Sequence, residues 1–510
     1  MMFAFSLLSL VLLGAPSVGH ATQAQVSVSV EETATAFAPY NEAMAIGQKT
    51  RAADQLLTVI NDASLTAHHG QAWVLMGDLL ASFDMTFSAL IAYNNAILAN
   101  PEVAAPSIKA AISIAEKLGD EALLAPALAV NVGLDVDGDT RSRMAYLAAR
   151  ENFIQGKLGV ATAMLMMVDA KSTTFAESEA LRGILLSQQG RFNDALVPLI
   201  TARQVGQNAN LGDRFDNMMT LNLARAYFGA GNFPNAIETF ANVDRDSDFW
   251  PEAAFERAWA HFRMEDVNGA LGQLHNLRTN FFTDWYFPEA DLLQTYSLFL
   301  MCKFPDATKS VEAFAEAYTP IKTQLDSALA TATPDVAWAD VNAHLEARST
   351  KLPTKVLTGY ASEDRITNAI ETVARADDEI MRLGYVSASP FAAQAKIWLQ
   401  NRRDQIVQIE GARIIENARS AKTQLDAMLY NVDITKLDMM QYEADLYSQA
   451  SNTGKLNFGD PIGKLRRMSK KRGVRVWPYE GEEWGDELGY YKYDARPDCP
   501  AGLAQTTEGS

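Results

Sequence analysis

A six-residue frame recurs along this chain and constrains its fold more than any other feature. Gly190-Arg191-Phe192-Asn193-Asp194-Ala195 matches Gly231-Asn232-Phe233-Pro234-Asn235-Ala236 place for place. The same frame fits Gly156 to Ala161 and Glu265 to Ala270. It also fits Cys302-Lys303-Phe304-Pro305-Asp306-Ala307, with Cys where Gly usually stands. The intervals Ala161 to Ala195 and Ala236 to Ala270 are each 34 residues, and others stretch to 37 or 41. Periods of this length mark units that bury their apolar face only by stacking on their neighbours. The expected fold is all-α, a solenoid of seven to eight helical hairpins over residues 38–316.

One copy carries more. In WVLMGDLLASFDMTFSALIAYNNAILANP, Trp73, Met76, Gly77, Leu80, Ala89, Tyr93, Ala96 and Pro101 hold the signature places of a tetratricopeptide repeat. The chain resembles that family, with degenerate copies at residues 40–60 and 108–128. Small Gly77 and Ala89 let two antiparallel helices approach, Leu80 and Tyr93 fill the space between hairpins, and Pro101 ends the second helix. The resemblance implies that the first helix of each hairpin lines a groove for a peptide or protein. Projected onto this chain, that register selects Arg143, Tyr146, Arg150 and Phe153, then Arg225 and Phe228, then Phe255, Trp259, Phe262 and Arg263. Arginine and aromatic side chains dominate protein interfaces. The alternative for each aromatic is simple packing between hairpins.

Beyond residue 316 the period fades. Pro320, Pro334 and Pro353 with Ser/Thr-rich joints point to a connector of short helices over 317–360. Residues 361–455 then show long helical patterns. One stripe, Ile397, Leu399, Ile406, Ile409, Ile414, Ile415, Ala418, Leu425 and Leu429, suggests a coiled-coil-like helical hairpin. Residues 456–510 form a small separate tail, first basic and then acidic and aromatic.

At the N-terminus, an apolar stretch from Phe3 to Leu13 precedes Gly, Pro and small residues, with a cleavage site after Ala21. That is the pattern of a signal peptide over residues 1–21, although no Lys or Arg precedes the stretch. The expectation is an exported, periplasmic or envelope-associated protein with no membrane-spanning segment in the mature chain. No cysteine lies near the cleavage site to carry a lipid. Cys302 and Cys499 are the chain's two cysteines; they rule out a disulfide framework but could form one bridge between separate regions. A net charge of −18 argues against nucleic acid as a partner.

Chemistry-bearing motifs are weak. Asp135, Asp137 and Asp139 have the alternate spacing of a calcium loop, but Thr140 stands where the turn needs Gly and Tyr146 where a bidentate Glu belongs. A helix-capping turn is the better reading. Adjacent His68 and His69 point to different helix faces, and His261 and His275 lie within a repeat. Phosphate loops, nucleophile elbows and His-Glu metalloprotease motifs are missing, so no metal, cofactor or catalytic residue is assigned.

The stretch RVWPYEGEEWGDELGYYKYD, residues 475–494, resembles the C-terminal signature of exported tetratricopeptide proteins of gliding and predatory bacteria, some linked to envelope gliding-motility machinery. That resemblance implies an envelope scaffold with protein partners and leaves outer-membrane or cell-wall association open. From the residues alone, the tail is a structural cap, with Trp477 and Trp484 packed on the long helices, or a partner-docking element. A carboxylate pair from Glu482 or Glu483 with Asp486 would instead suit an accessory acting on cell-wall glycan, and the aromatic groove could bind such a glycan.

Overall fold

A computed structural model describes residues 30–453, 483 and 487–498. The signal-peptide segment, Trp477, Trp484, Glu482 and Asp486 lie outside the described residues. The fold is all-α, a tetratricopeptide-like α-solenoid followed by long helices and an aromatic C-terminal segment, and no strand occurs among the described residues. The helices are α1 (Val30–Ala45), α2 (Lys49–Asn61), α3 (His69–Ala81), α4 (Thr86–Ala99), α5 (Pro101–Ala104), α6 (Ile108–Leu118) and α7 (Glu121–Val130). Next come α8 (Gly138–Ile154), α9 (Leu158–Leu165), α10 (Phe175–Gln188), α11 (Phe192–Asn208), α12 (Asp213–Gly229) and α13 (Phe233–Phe240). Then follow α14 (Trp250–Arg263), α15 (Val267–Leu277), α16 (Pro288–Leu300) and α17 (Phe304–Ala330). The last four are α18 (Pro334–Leu345), α19 (Thr354–Ala361), α20 (Asp364–Leu383) and α21 (Pro390–Thr453).

The repeating frame has a physical identity. Its first residue is the left-handed turn between paired helices: Gly47, Asp84, Gly119, Gly156, Gly190, Gly231, Glu265 and Cys302 have φ between 55° and 76°. The next amide donates to the carbonyl five residues back, at 2.8 to 3.1 Å, closing the first helix of each pair. Five positions after the turn stands a residue with 0% exposure: Ala52, Ala89, Leu124, Ala161, Ala195, Ala236, Ala270 and Ala307. The turn fixes the phase of the second helix, so this residue, alanine in seven of the eight, always meets the first.

The chain divides into two compact units. The first holds residues up to Leu185 together with Thr333–Leu345 and Tyr360–Ile414. Its core joins α1–α4 and α6–α8 to Trp338, Ala369, Ala376, Leu383, Phe391, Leu399 and Ile406. Here α20 and the start of α21 complete the polar ends of the repeats. Met85 gives α4 no side-chain cap, and buried Glu379 caps it instead, accepting from the Phe87 and Ser88 amides at 2.7 and 2.9 Å. Thr372 donates to the Leu118 carbonyl at 2.6 Å, Arg402 pairs with Asp120, and Trp398 lies 5.1 Å from Trp73. The apolar face of α20 and early α21 therefore belongs to the repeat core. Ile397 and Ile409, expected in the stripe, are 47% and 45% exposed.

The second unit holds Leu186–Ala332, Glu346–Gly359 and the chain from Ile415. Its apolar cluster runs through α12–α16 and includes Trp250, Phe240 and Leu293. Helix α17 continues through Pro320, which is exposed, so the carbonyl the proline leaves unbonded can take water. Buried Ala418, Ala421, Leu425, Met428, Val432, Thr435 and Met439 of α21 follow a three-four spacing. The helices facing this stretch are α16 and α17: Phe299 meets Tyr442 at 5.6 Å, while Lys322 bonds Asp426 at 3.3 Å and Lys422 bonds Asp326 at 3.1 Å.

Candidate functional site

Counting back from the left-handed turns fixes the register of the first helices. Phe153, Phe228 and Phe262 each stand three residues before their turn residue, and Arg150, Arg225 and Trp259 six before it. The structure places Arg143, Tyr146, Arg150 and Phe153 in the first unit and the other six residues of the expected groove in the second.

In the second unit, Phe228, Phe255, Trp259 and Phe262 are half-buried and pack against the apolar cluster. Their rings connect onward: Phe228 to Phe233 at 5.3 Å, Trp259 to Phe262 at 5.7 Å, Phe255 to Phe287 at 5.9 Å. Exposed Arg263 lies over the Phe233 ring at 5.1 Å. Arg225 reaches from α12 to α14, where it bonds Glu256 at 2.6 Å and Glu252 at 2.7 Å. Burial pulls its pKa down, but the two carboxylates outweigh that and hold the guanidinium above its ordinary value. Burial in turn raises Glu256, against the pull of Arg225. Each of these aromatics thus packs on the apolar cluster while remaining partly exposed.

The first-unit set is more polar. Arg143 pairs with Glu116 and Arg150 with Glu121 at 3.1 Å, each on the preceding hairpin. Burial pushes the Tyr146 hydroxyl and Glu116 upward in pKa. Glu177 is also raised by burial, and its Oε2 has no hydrogen-bond partner among the described residues. Phe153 packs with Tyr146 and Met164 on the cluster of Ala149, Ala161, Leu165, Leu181 and Leu185. The glutamate partners went unseen in the sequence because each lies on a neighbouring repeat, with no fixed local spacing to reveal it.

The acidic turn is a cap. Asp137 accepts from the Thr140 amide at 3.0 Å and from its hydroxyl at 2.6 Å at the start of α8. Asp139 accepts from the Thr173 amide at 2.8 Å. His68 is buried edge-on to Phe37, 5.9 Å between ring centres, and His261 bonds Asp266 at 2.8 Å.

The C-terminal segment is described at residues 483 and 487–498. Its described residues lie on α14–α17 of the repeats. Leu488 joins the apolar cluster, Tyr491 meets His275 at 4.6 Å, and Arg245 lies over Tyr490 at 4.9 Å. The Glu483 carboxylate accepts from the Asn280 amide at 2.8 Å. At the far end the Asp498 amide donates to the Met301 carbonyl at 2.8 Å, and the Asp498 carboxylate bonds Lys303 at 3.1 Å. Between them, Cys302 is disulfide-bonded; the chain has one other cysteine, Cys499. An extended segment held through its backbone has no periodicity to read, and the row of Asn and Gly on α15 was the only signal of its seat.

No family model and no curated protein sequence matches this chain. Among solved structures, it is similar to the TPR domain of P58(IPK), at 10% identity and a TM-score of 0.18, over 73% of this chain and 99% of that one. A superposition this loose adds nothing to the fold, which rests on the helix pairs and their turns. Among the described residues, no helix is long and apolar enough to cross a membrane.

Proposed function

We propose that this chain is a non-enzymatic scaffold, exported to the cell envelope, that holds protein partners on the first helices of its repeats. The observation that carries this is the recurrence of half-buried Phe and of Arg or Trp at fixed distances before successive turns. Their partial exposure at a repeated register supports a surface shared by successive first helices. Burying such a face removes on the order of 100 Å² per ring from water, part of the 150–250 Å² a whole aromatic side chain buries.

Three features support export and an envelope setting. The N-terminal segment has the pattern of a signal peptide, the tail resembles those of exported repeat proteins, and a disulfide at Cys302 suits an oxidising compartment. A role in a motility or envelope assembly follows from the tail's resemblance. The test is N-terminal sequencing of the fractionated protein together with cross-linking in intact cells. A mature N-terminus at Thr22 and a protein cross-linked in the envelope fraction are expected. A cytoplasmic chain that keeps Phe3 to Leu13 would overturn the reading.

A further inference from the structure

Successive first helices of the second unit meet in a fixed register. On α12, Arg225 stands six residues before its turn residue and bonds Glu252 and Glu256 of α14, thirteen and nine residues before theirs. One hairpin further on, the same places hold Trp259 on α14 and Glu289 and Leu293 on α16. The contact between Phe255 and Phe287 at 5.9 Å sets the start of α16 beside α14. The acid is kept and its arginine is not. Leu293 is fully buried, whereas Glu289 is exposed and has no ion-pair partner among the described residues.

A surface glutamate is ordinarily just solvated, and three observations separate Glu289 from that case. Protein packed around its carboxyl raises the pKa above the ordinary value although water still reaches the side chain, as happens in a concave surface. Burial, and then the Glu289 charge, raise the Tyr286 hydroxyl, which is shielded from solvent and has no hydrogen-bond partner among the described residues. Three rings stand in series at the same helix start. Trp285 lies parallel to Phe287, 5.7 Å between centres and 2° between planes, and Phe287 leads to Phe255. Trp285, Phe287, Phe255 and Trp259 are all half-buried.

We propose that this place binds an arginine side chain of the protein partner, which supplies from outside the guanidinium that Arg225 supplies from within the chain one hairpin earlier. The proposal rests on the reading of the first helices as the partner-binding face. A planar guanidinium bonds a carboxylate through two N–H groups while its face lies against an aromatic ring; a lysine ammonium is a compact, more strongly hydrated charge. The chain itself uses this combination: Arg214 lies over the Phe249 ring at 5.0 Å and bonds Asp248 at 2.9 Å. A net charge of −18 favours the approach of a basic segment.

The test titrates the full chain with Nα-acetylarginine amide and with the citrulline and lysine amides of the same form, each followed by saturation-transfer NMR. Citrulline keeps the shape of arginine without its charge. The arginine probe should bind more tightly than the lysine one. It should bind at least about tenfold more tightly than the citrulline one, and Glu289→Gln should lower its affinity by a similar factor, the loss expected for a hydrogen bond to a charged group. Glu289→Gln alters an exposed side chain at constant shape, so hydrogen exchange of α14–α16 should stay as in the native chain. Equal binding of the citrulline or lysine probe, or arginine binding indifferent to Glu289→Gln, would overturn the proposal. Affinity for the protein cross-linked in the envelope fraction separates this site from the wider face. Loss of that affinity in Glu289→Gln supports the site. Affinity kept in Glu289→Gln but lost in Trp259→Ala with Arg263→Ala overturns the arginine site and leaves the first-helix face standing; affinity kept in both overturns both.

Discussion

Replacing Gly77 with alanine should weaken the α3–α4 pair, although alanine is the better helix former by about 1 kcal/mol. A Cβ at Gly77 would lie 2.6, 2.7 and 2.9 Å from Cε1, Cδ1 and Cζ of Tyr93. The ring cannot easily yield, since Tyr93 is 3% exposed and its hydroxyl donates to Asp78 at 2.7 Å. Overpacking of this kind costs about 1–3 kcal/mol, and moving the ring would forfeit a hydrogen bond to a charged group worth about 1.5–3 kcal/mol. Set against the propensity gain, the net loss is about 1–2 kcal/mol. A chain of this length and division does not unfold in one step, so the assay is hydrogen exchange of the α3 and α4 amides. Exchange there should quicken about 5- to 30-fold. In a Tyr93→Leu background, Gly77→Ala should cost clearly less. If Gly77→Ala instead slows exchange, as at an unhindered helix position, close approach of the two helices is not what places glycine there.

Two further outcomes follow from particular groups. Glu265 is exposed and holds φ 61° at its turn, a conformation costing a residue with a side chain about 1–2 kcal/mol. Glu265→Gly should relieve it and, after the added freedom of the unfolded chain, stabilise α14–α15 by about 0.5–1 kcal/mol, seen as slower exchange there. Asp216 bonds Arg203 at 2.8 Å, and that hydrogen bond, with the one from Gln207, holds its pKa below the ordinary 3.8 despite burial. The folded value lies below the unfolded one, so this contribution is present above pH 3.8 and is lost as pH falls through the folded value. The shift in urea midpoint between the native chain and Asp216→Asn, read on the transition in which α11 and α12 unfold, should hold from pH 7 to 5 and narrow below about pH 4. A shift that is flat to pH 2 would show that the pair contributes nothing to folding.

The repeat architecture was legible because its constraint is local. A left-handed turn followed five residues later by a fully buried residue, alanine in all but one copy, leaves a spacing that alignment alone recovers. That holds even where Glu265 or Cys302 replaces the glycine. What a helix packs against is not local. The stripe along α21 shows which face is apolar, yet its 3.6-residue period is the same whether that face meets α20, the repeats or α17. The sequence therefore gave no way to foresee Trp398 against Trp73 or Lys422 against Asp326. The candidate face shows the same split. Phe228, Phe262 and Trp259 were found by register, whereas Glu252 and Glu256, which hold Arg225, come from the next hairpin. The seat of the C-terminal segment was missed because an aromatic-rich segment looks as if it must bury its rings, while Tyr490 is 69% exposed and the backbone carries the attachment.

The central claim is that the first-helix face binds a protein partner, and Trp259→Ala with Arg263→Ala tests it most directly. Interface anchors of these types cost about 2 kcal/mol or more each when truncated. Both side chains reach past the apolar cluster, Arg263 being exposed and Trp259 half-buried. The measurement is affinity for the protein cross-linked in the envelope fraction, made on native and doubly substituted chains, with hydrogen exchange of α12–α16 as the check on folding. The account predicts affinity lower by at least 100-fold with exchange changed little. Unchanged affinity in a folded double variant, or unfolding of α14 while the remaining folded protein still binds, would contradict it.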